Sequence, residues 1–148
     1  MHRRELIKQS CLGCLTGSLL SISLSNCVVT HYATGFMENT GLAVSKSEFI
    51  YLKKEQALTR KYIIVQNEKL EFPIYLYRFS ENEYSALWMK CTHQGAALQA
   101  SGDHLQCPSH GSEFNNKGIM SNGPAERNLR SFVVSVLEDK IFIDLRLA

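Results

Sequence analysis

The sequence is short of the residues that mark several broad classes. Three prolines and nine glycines in 148 residues are too few for a disordered or collagen-like chain. No Lys/Arg run exceeds two residues, and 16 basic against 14 acidic side chains leave a net charge of +2. That supplies no dense field to grip a phosphate backbone, so nucleic-acid binding is not expected. Beyond the N-terminal region no stretch of ten or more residues has helical amphipathic spacing, which excludes a helix bundle. There is no internal repeat and no low-complexity segment. A chain that is 45% hydrophobic, of this length, has the profile of one globular domain.

The charge that is present is unevenly placed. Arg3, Arg4 and Lys8, with Glu5 among them, precede a modest apolar stretch from Gln9 to Ser25 whose leucines are interrupted by Ser, Gly, Thr and Cys. This is the layout of an export signal or membrane anchor over residues 1–26, without which the chain is formally neutral. The paired arginines resemble the twin-arginine export signal, with His2 and Leu6 where the usual form has Ser or Thr and Phe. Such signals export proteins already folded around a cofactor. Ser23-Leu24-Ser25-Asn26-Cys27 resembles a bacterial lipobox, which makes Cys27 the expected lipidated residue.

Three arrangements stay open: a lipoprotein held through Cys27, an uncleaved single-span anchor, and a soluble exported protein. A span from Ile7 to Val29 is long enough for a bilayer but rich in polar residues. The expected location is the bacterial cell envelope, membrane-anchored, with the body outside the cytoplasm. Cys11-x-x-Cys14 lies inside the apolar stretch and is not read as a redox motif.

Residues 27–47 are small and polar with little periodicity, as in a flexible tether. From residue 48 to 148 the chain reads as strands. Phe49–Leu52, Tyr62–Val65, Ile74–Tyr77 and Tyr84–Met89 are β-branched and aromatic runs separated by turn material. Phe132–Val136 and Ile141–Leu145, joined through Glu138-Asp139-Lys140, predict a closing hairpin. The fold class is therefore all-β.

Between these strands stand Cys91-Thr92-His93-Gln94-Gly95-Ala96 and Cys107-Pro108-Ser109-His110-Gly111-Ser112. Two thiolates and two imidazoles on two Gly-shaped loops can bind zinc or an iron–sulfur cluster. A disulfide between the cysteines would need no histidines. A zinc knuckle usually draws both cysteines from one C-x-x-C. Here each loop offers one Cys and one His, which suits a centre whose two metals are both reached from both loops.

The two loops resemble those of the Rieske iron–sulfur family, and Gly118 with Gly123-Pro124-Ala125, followed by Leu129 and Phe132, resembles the loop that covers that family's cluster. The likeness runs from about Phe49 to the C-terminus. It implies an antiparallel β-sandwich with a small cluster-binding subdomain formed by two hairpin loops, and one [2Fe–2S] cluster per subunit. Cys91 and Cys107 would ligate the inner iron and His93 and His110 the outer one, near the surface. Ser112 would donate a hydrogen bond to a bridging sulfide. At the place of a tyrosine that donates to a ligand cysteine stands Phe114, which implies an intermediate or low potential for the type. The loop disulfide of the respiratory, cytochrome bc-type members is missing, because Ala96 and Ser109 occupy its positions. A short spacer of 13 residues, Gln94 to Gln106, leaves the loops little slack in its place.

The resemblance implies one-electron transfer, with a quinol or a partner redox protein as donor and a cytochrome or larger oxidoreductase subunit as acceptor. No nucleophile, acid/base pair or mononuclear iron motif suggests independent catalysis on an organic substrate. The competing expectation is a zinc-stabilised β-domain with a binding role. Outside the loops, His104 is expected at a hairpin turn, His31 in the tether, and Trp88, Tyr75 and Tyr77 in the core or on the sheet surface.

Overall fold

The computed structural model describes residues 29–146. The export-signal residues, Cys11, Cys14 and Cys27 lie outside the described residues. The scaffold is one eight-stranded sheet. Its ladder begins with β1 (Tyr32–Thr34), continues through β6 (Tyr62–Gln66), β7 (Ile74–Arg78) and β8 (Tyr84–Trp88), and passes to β13 (Ser131–Val136). Beyond these come β14 (Lys140–Asp144), β3 (Gly41–Ser45) and β2 (Phe36–Glu38). All pairs are antiparallel except β1 with β6, which run parallel.

Alternation along the middle strands explains how this sheet serves two cores. Ile63, Val65, Ile74, Leu76 and Ala86 pack with Leu42, Val44, Phe132, Ile141 and Ile143 from the far end of the ladder, so the sheet folds over itself into a sandwich. The intervening residues Tyr62, Ile64, Tyr75, Tyr77 and Leu87 face the other way, toward Cys91, Leu98, Leu105, Cys107 and Phe114. Strands buried on both faces read as unbroken apolar runs, which is why β6 and β7 are legible in the sequence.

On that second face sits a four-stranded sheet in the order β12 (Met120–Asn122), β11 (Glu113–Asn115), β10 (His104–Gln106), β9 (Gln99–Ser101). It carries the two Cys/His loops. Tyr75 fixes it to the scaffold: its hydroxyl donates to the Gly102 carbonyl at 2.8 Å, and burial, with Tyr77, Tyr62 and Asp103 nearby, pushes the phenol above its ordinary pKa. A separate hairpin of β4 (Ile50–Lys53) and β5 (Gln56–Thr59) turns through Lys54 and Glu55, both at positive φ as a type I′ turn requires.

The tether expected over residues 27–47 is corrected for most of its described part. Residues 32–45 form β1, β2 and β3, with Ala33, Leu42, Ala43 and Val44 buried. The reason is non-local, because β3 takes its register from β14, a hundred residues later, from Gly41↔Asp144 to Ser45↔Lys140. His31 likewise bonds to Glu48 at 2.6 Å. His104 opens β10 at the turn that follows Gly102-Asp103, and Tyr75 and Tyr77 are core.

Gly41 makes this closure possible. A Cβ there would collide with the Ile143 carbonyl and stand 2.6 Å from Phe142 Cζ. Gly41→Ala is expected to destabilise the domain by about 2–3 kcal/mol, read as a lower denaturation midpoint at unchanged m-value. A midpoint equal to wild type would show that β3 does not close the sandwich as described.

Candidate metal centre

The two loops are built on one backbone plan. The Cys91 N–H donates to Ala96 O at 2.8 Å while its carbonyl accepts from Gly95 N–H at 2.9 Å; the Cys107 N–H donates to Ser112 O at 2.8 Å while its carbonyl accepts from Gly111 N–H at 3.0 Å. Gly95 and Gly111 stand at φ of +75° and +78°, a conformation open to glycine at little cost. The loops differ in where the imidazole is carried, two residues after Cys91 but three after Cys107.

This plan brings the expected ligands together as two pairs, Cys91 with Cys107 and His93 with His110. Cys91 and Cys107 are unpaired by disulfide and buried, each 2% exposed. Burial alone would push the Cys107 thiol up, but the backbone N–H groups of Ser109 and His110, with the side chains of Cys91 and Ser109, outweigh it. The net direction is down, toward the thiolate that binds metals. His93 and His110 are exposed, with ring centroids 5.0 Å apart and planes at 85°.

A third loop ties the first two together. The Ser112 hydroxyl accepts from the Ala125 N–H at 3.0 Å, Asn122 Nδ2 donates to Gly111 O at 3.3 Å, and Thr92 Oγ1 donates to Arg127 O at 2.7 Å. The segment from Asn122 to Arg127, which contains Gly123-Pro124-Ala125, is thus bonded to both cysteine loops, where the respiratory members would have a disulfide. These backbone partners were missed by sequence reasoning, since neither carbonyls nor amides carry a residue signature.

The donor set fits a [2Fe–2S] group on two observations. Ser112 is fully buried and its oxygen accepts from Ala125, yet its own proton has no acceptor among the described residues, which suits a sulfide beside the thiols. Thiols and imidazoles form separate pairs, and among the described residues no three His, Cys, Asp or Glu side chains converge as a single ion would require. Phe114 is fully buried in the same core as Cys91 and Cys107, with no hydroxyl to offer either sulfur.

A β-scaffold presenting two Cys/His loops tied together by a third has the thiol and imidazole donors of a metal centre. Residues 48–133 match the Rieske [2Fe-2S] domain, and the chain belongs to that family and binds a [2Fe–2S] cluster. Over 55 residues it is 40% identical to the cytochrome b6-f complex iron-sulfur subunit of Synechococcus elongatus, covering 36% of this chain and 31% of that one. Over 84 residues it is 38% identical to the oxygenase component of dicamba O-demethylase from Stenotrophomonas maltophilia, covering 50% of this chain and 25% of that one. The chain thus spans a third or less of these relatives. Among solved structures it is similar to the cyanobacterial plasma membrane Rieske protein PetC3 from Synechocystis PCC 6803, at 26% identity and a TM-score of 0.49, covering 56% of this chain and 85% of that one.

Proposed function

We propose that the protein is an exported, membrane-tethered carrier that passes one electron at a time between a donor and a partner redox protein outside the cytoplasmic membrane. The observation that carries this reading is the layering of the site, with two exposed imidazoles over two buried thiols. Cys91 and Cys107 would hold one iron and His93 and His110 the other, and the bound cluster supplies a reversible one-electron couple. The protein's own residues then set how that couple is used. Burial of the thiol side keeps water from the sulfur ligands, while His93 and His110 offer the short path to a partner and a ring nitrogen to a hydrogen-bonding donor such as a quinol. The names of the relatives, a cytochrome b6-f subunit and an oxygenase component, support both a cytochrome and a larger oxidoreductase as partner.

Potentiometric titration of the full chain tests the carrier role. The expected result is a single wave with a one-electron slope; a two-electron slope or no wave in cluster-loaded protein would contradict it.

The tether has its own check. No helix among the described residues is long and apolar enough to cross a membrane. Attachment would therefore come from the segment before residue 29, through lipid on Cys27 or an uncleaved span. Cys27→Ala is expected to move the protein from the membrane to the soluble fraction of the envelope. Continued membrane retention would instead support the uncleaved span.

A further inference from the structure

Beside the first cysteine loop the surface opens into a groove of about 500 Å³, walled by Trp88 and Lys90, the Thr92–Gly95 turn and the Arg127–Arg130 segment. Its lining contains three cations, Lys90, Arg127 and Arg130, and no carboxylate. In a chain with 16 basic and 14 acidic residues such segregation is a local feature, not a reflection of overall charge.

Two of the cations are held in place. The Lys90 ammonium stands 5.3 Å and the Arg130 guanidinium 5.2 Å from the Trp88 ring centroid. Arg130 also donates to Leu145 O at 2.9 Å and lies over Phe132. Contact with aromatic rings fixes a long side chain and lowers the entropy lost on binding. Lys90 has an exposed carboxylate, Glu71, at 3.3 Å, a pairing of little worth in water. Arg127 is exposed and makes no ion pair among the described residues, although Glu126 precedes it. His93 belongs to the same lining and His110 does not.

We infer that this groove is the docking surface for the redox partner, that the partner presents an acidic segment of Asp and Glu side chains to Lys90, Arg127 and Arg130, and that the electron crosses by way of His93. The inference rests on the electron-carrier reading above. One electron leaves the reduced site and reduces a one-electron centre in the partner, with no bond formed or broken. A phosphate polymer would need an extended basic track, and this one is confined to a single groove.

The test uses the full chain with its cluster, in detergent, and two small oxidants of opposite charge, ferricyanide and tris(phenanthroline)cobalt(III). Reversing the groove with Lys90→Glu and Arg127→Glu is expected to slow ferricyanide oxidation by roughly tenfold at low ionic strength and to speed the cobalt reaction. Lys53→Glu with Lys54→Glu changes net charge equally, but at the tip of the β4–β5 hairpin, whose base adjoins the Tyr62 end of β6, away from the Trp88 end of the sheet. This pair should leave both rates within about twofold. Hexaglutamate should bind wild type, read by the fluorescence of Trp88, the chain's one tryptophan, and should slow ferricyanide.

Equal effects from the two pairs of reversals, or hexaglutamate binding that ignores the groove reversals, would overturn the proposal. Citrate bound as tightly as hexaglutamate, with the same dependence on Lys90 and Arg127, would reassign the groove to a small anion and overturn it too. Reduced, cluster-loaded protein that reacts with neither oxidant would contradict the carrier reading, while the hexaglutamate titration would still decide the groove.

Discussion

Cys107→Ser is expected to remove the cluster and with it much of the domain's stability. Cys107 is buried in one of two loops that a few hydrogen bonds hold, and no disulfide joins it to Cys91. Metal-ligand binding energy in such a site is folding energy, commonly on the order of 10 kcal/mol for small metallo-domains. The variant should lose the visible absorbance of the cluster and unfold more than about 10 °C below the holo-protein. Wild type stripped of iron separates the causes. If its midpoint matches that of Cys107→Ser, the loss belongs to the cluster; if stripping costs nothing, the cluster is not the staple that replaces the missing disulfide.

The second large effect is electronic and has two signs. Ser112 offers a buried hydroxyl whose proton has no acceptor among the described residues, while Phe114 offers no hydroxyl two residues later. A hydrogen bond to the sulfur side favours the more electron-rich, reduced state. If it does so by on the order of 1 kcal/mol, a one-electron potential shifts by roughly 40 mV. Ser112→Ala should therefore lower the midpoint potential by that amount or more, and Phe114→Tyr should raise it. Ser112→Ala also strips the Ala125 N–H of its acceptor, so some stability is lost with it. Protein-film voltammetry reads both shifts. An unchanged potential in Phe114→Tyr would mean that a hydroxyl there does not reach Cys91 or Cys107.

How much of this was legible depended on whether the signal was local. The Cys/His loops were readable because their chemistry rests on residue type and short spacing, and Ser112 followed from its place after the second His-Gly. Strands β6, β7 and β8 were readable because both faces are buried and the apolar runs are long. The strands β1, β2 and β3 were not, because they are only three to five residues long and their pairing is non-local, β1 lying on β6 and β3 on β14 at the other end of the chain. Three-residue strands such as β9–β12 give no periodicity to count. The bonds that replace the loop disulfide run to the Arg127 carbonyl and the Ala125 amide, atoms that every residue has. The cationic groove is assembled from β8 and the segment before β13, which only the folded sheet sets side by side.

The central claim is that Cys91, His93, Cys107 and His110 hold one [2Fe–2S] cluster with its irons ligated unequally. The electron paramagnetic resonance spectrum of the dithionite-reduced full chain tests it most directly, in protein made by cells competent for cluster assembly. The account predicts a rhombic signal with the low average g-value of mixed histidine and cysteine ligation, lost in Cys107→Ser. A silent spectrum with one equivalent of zinc in the same preparation would contradict it.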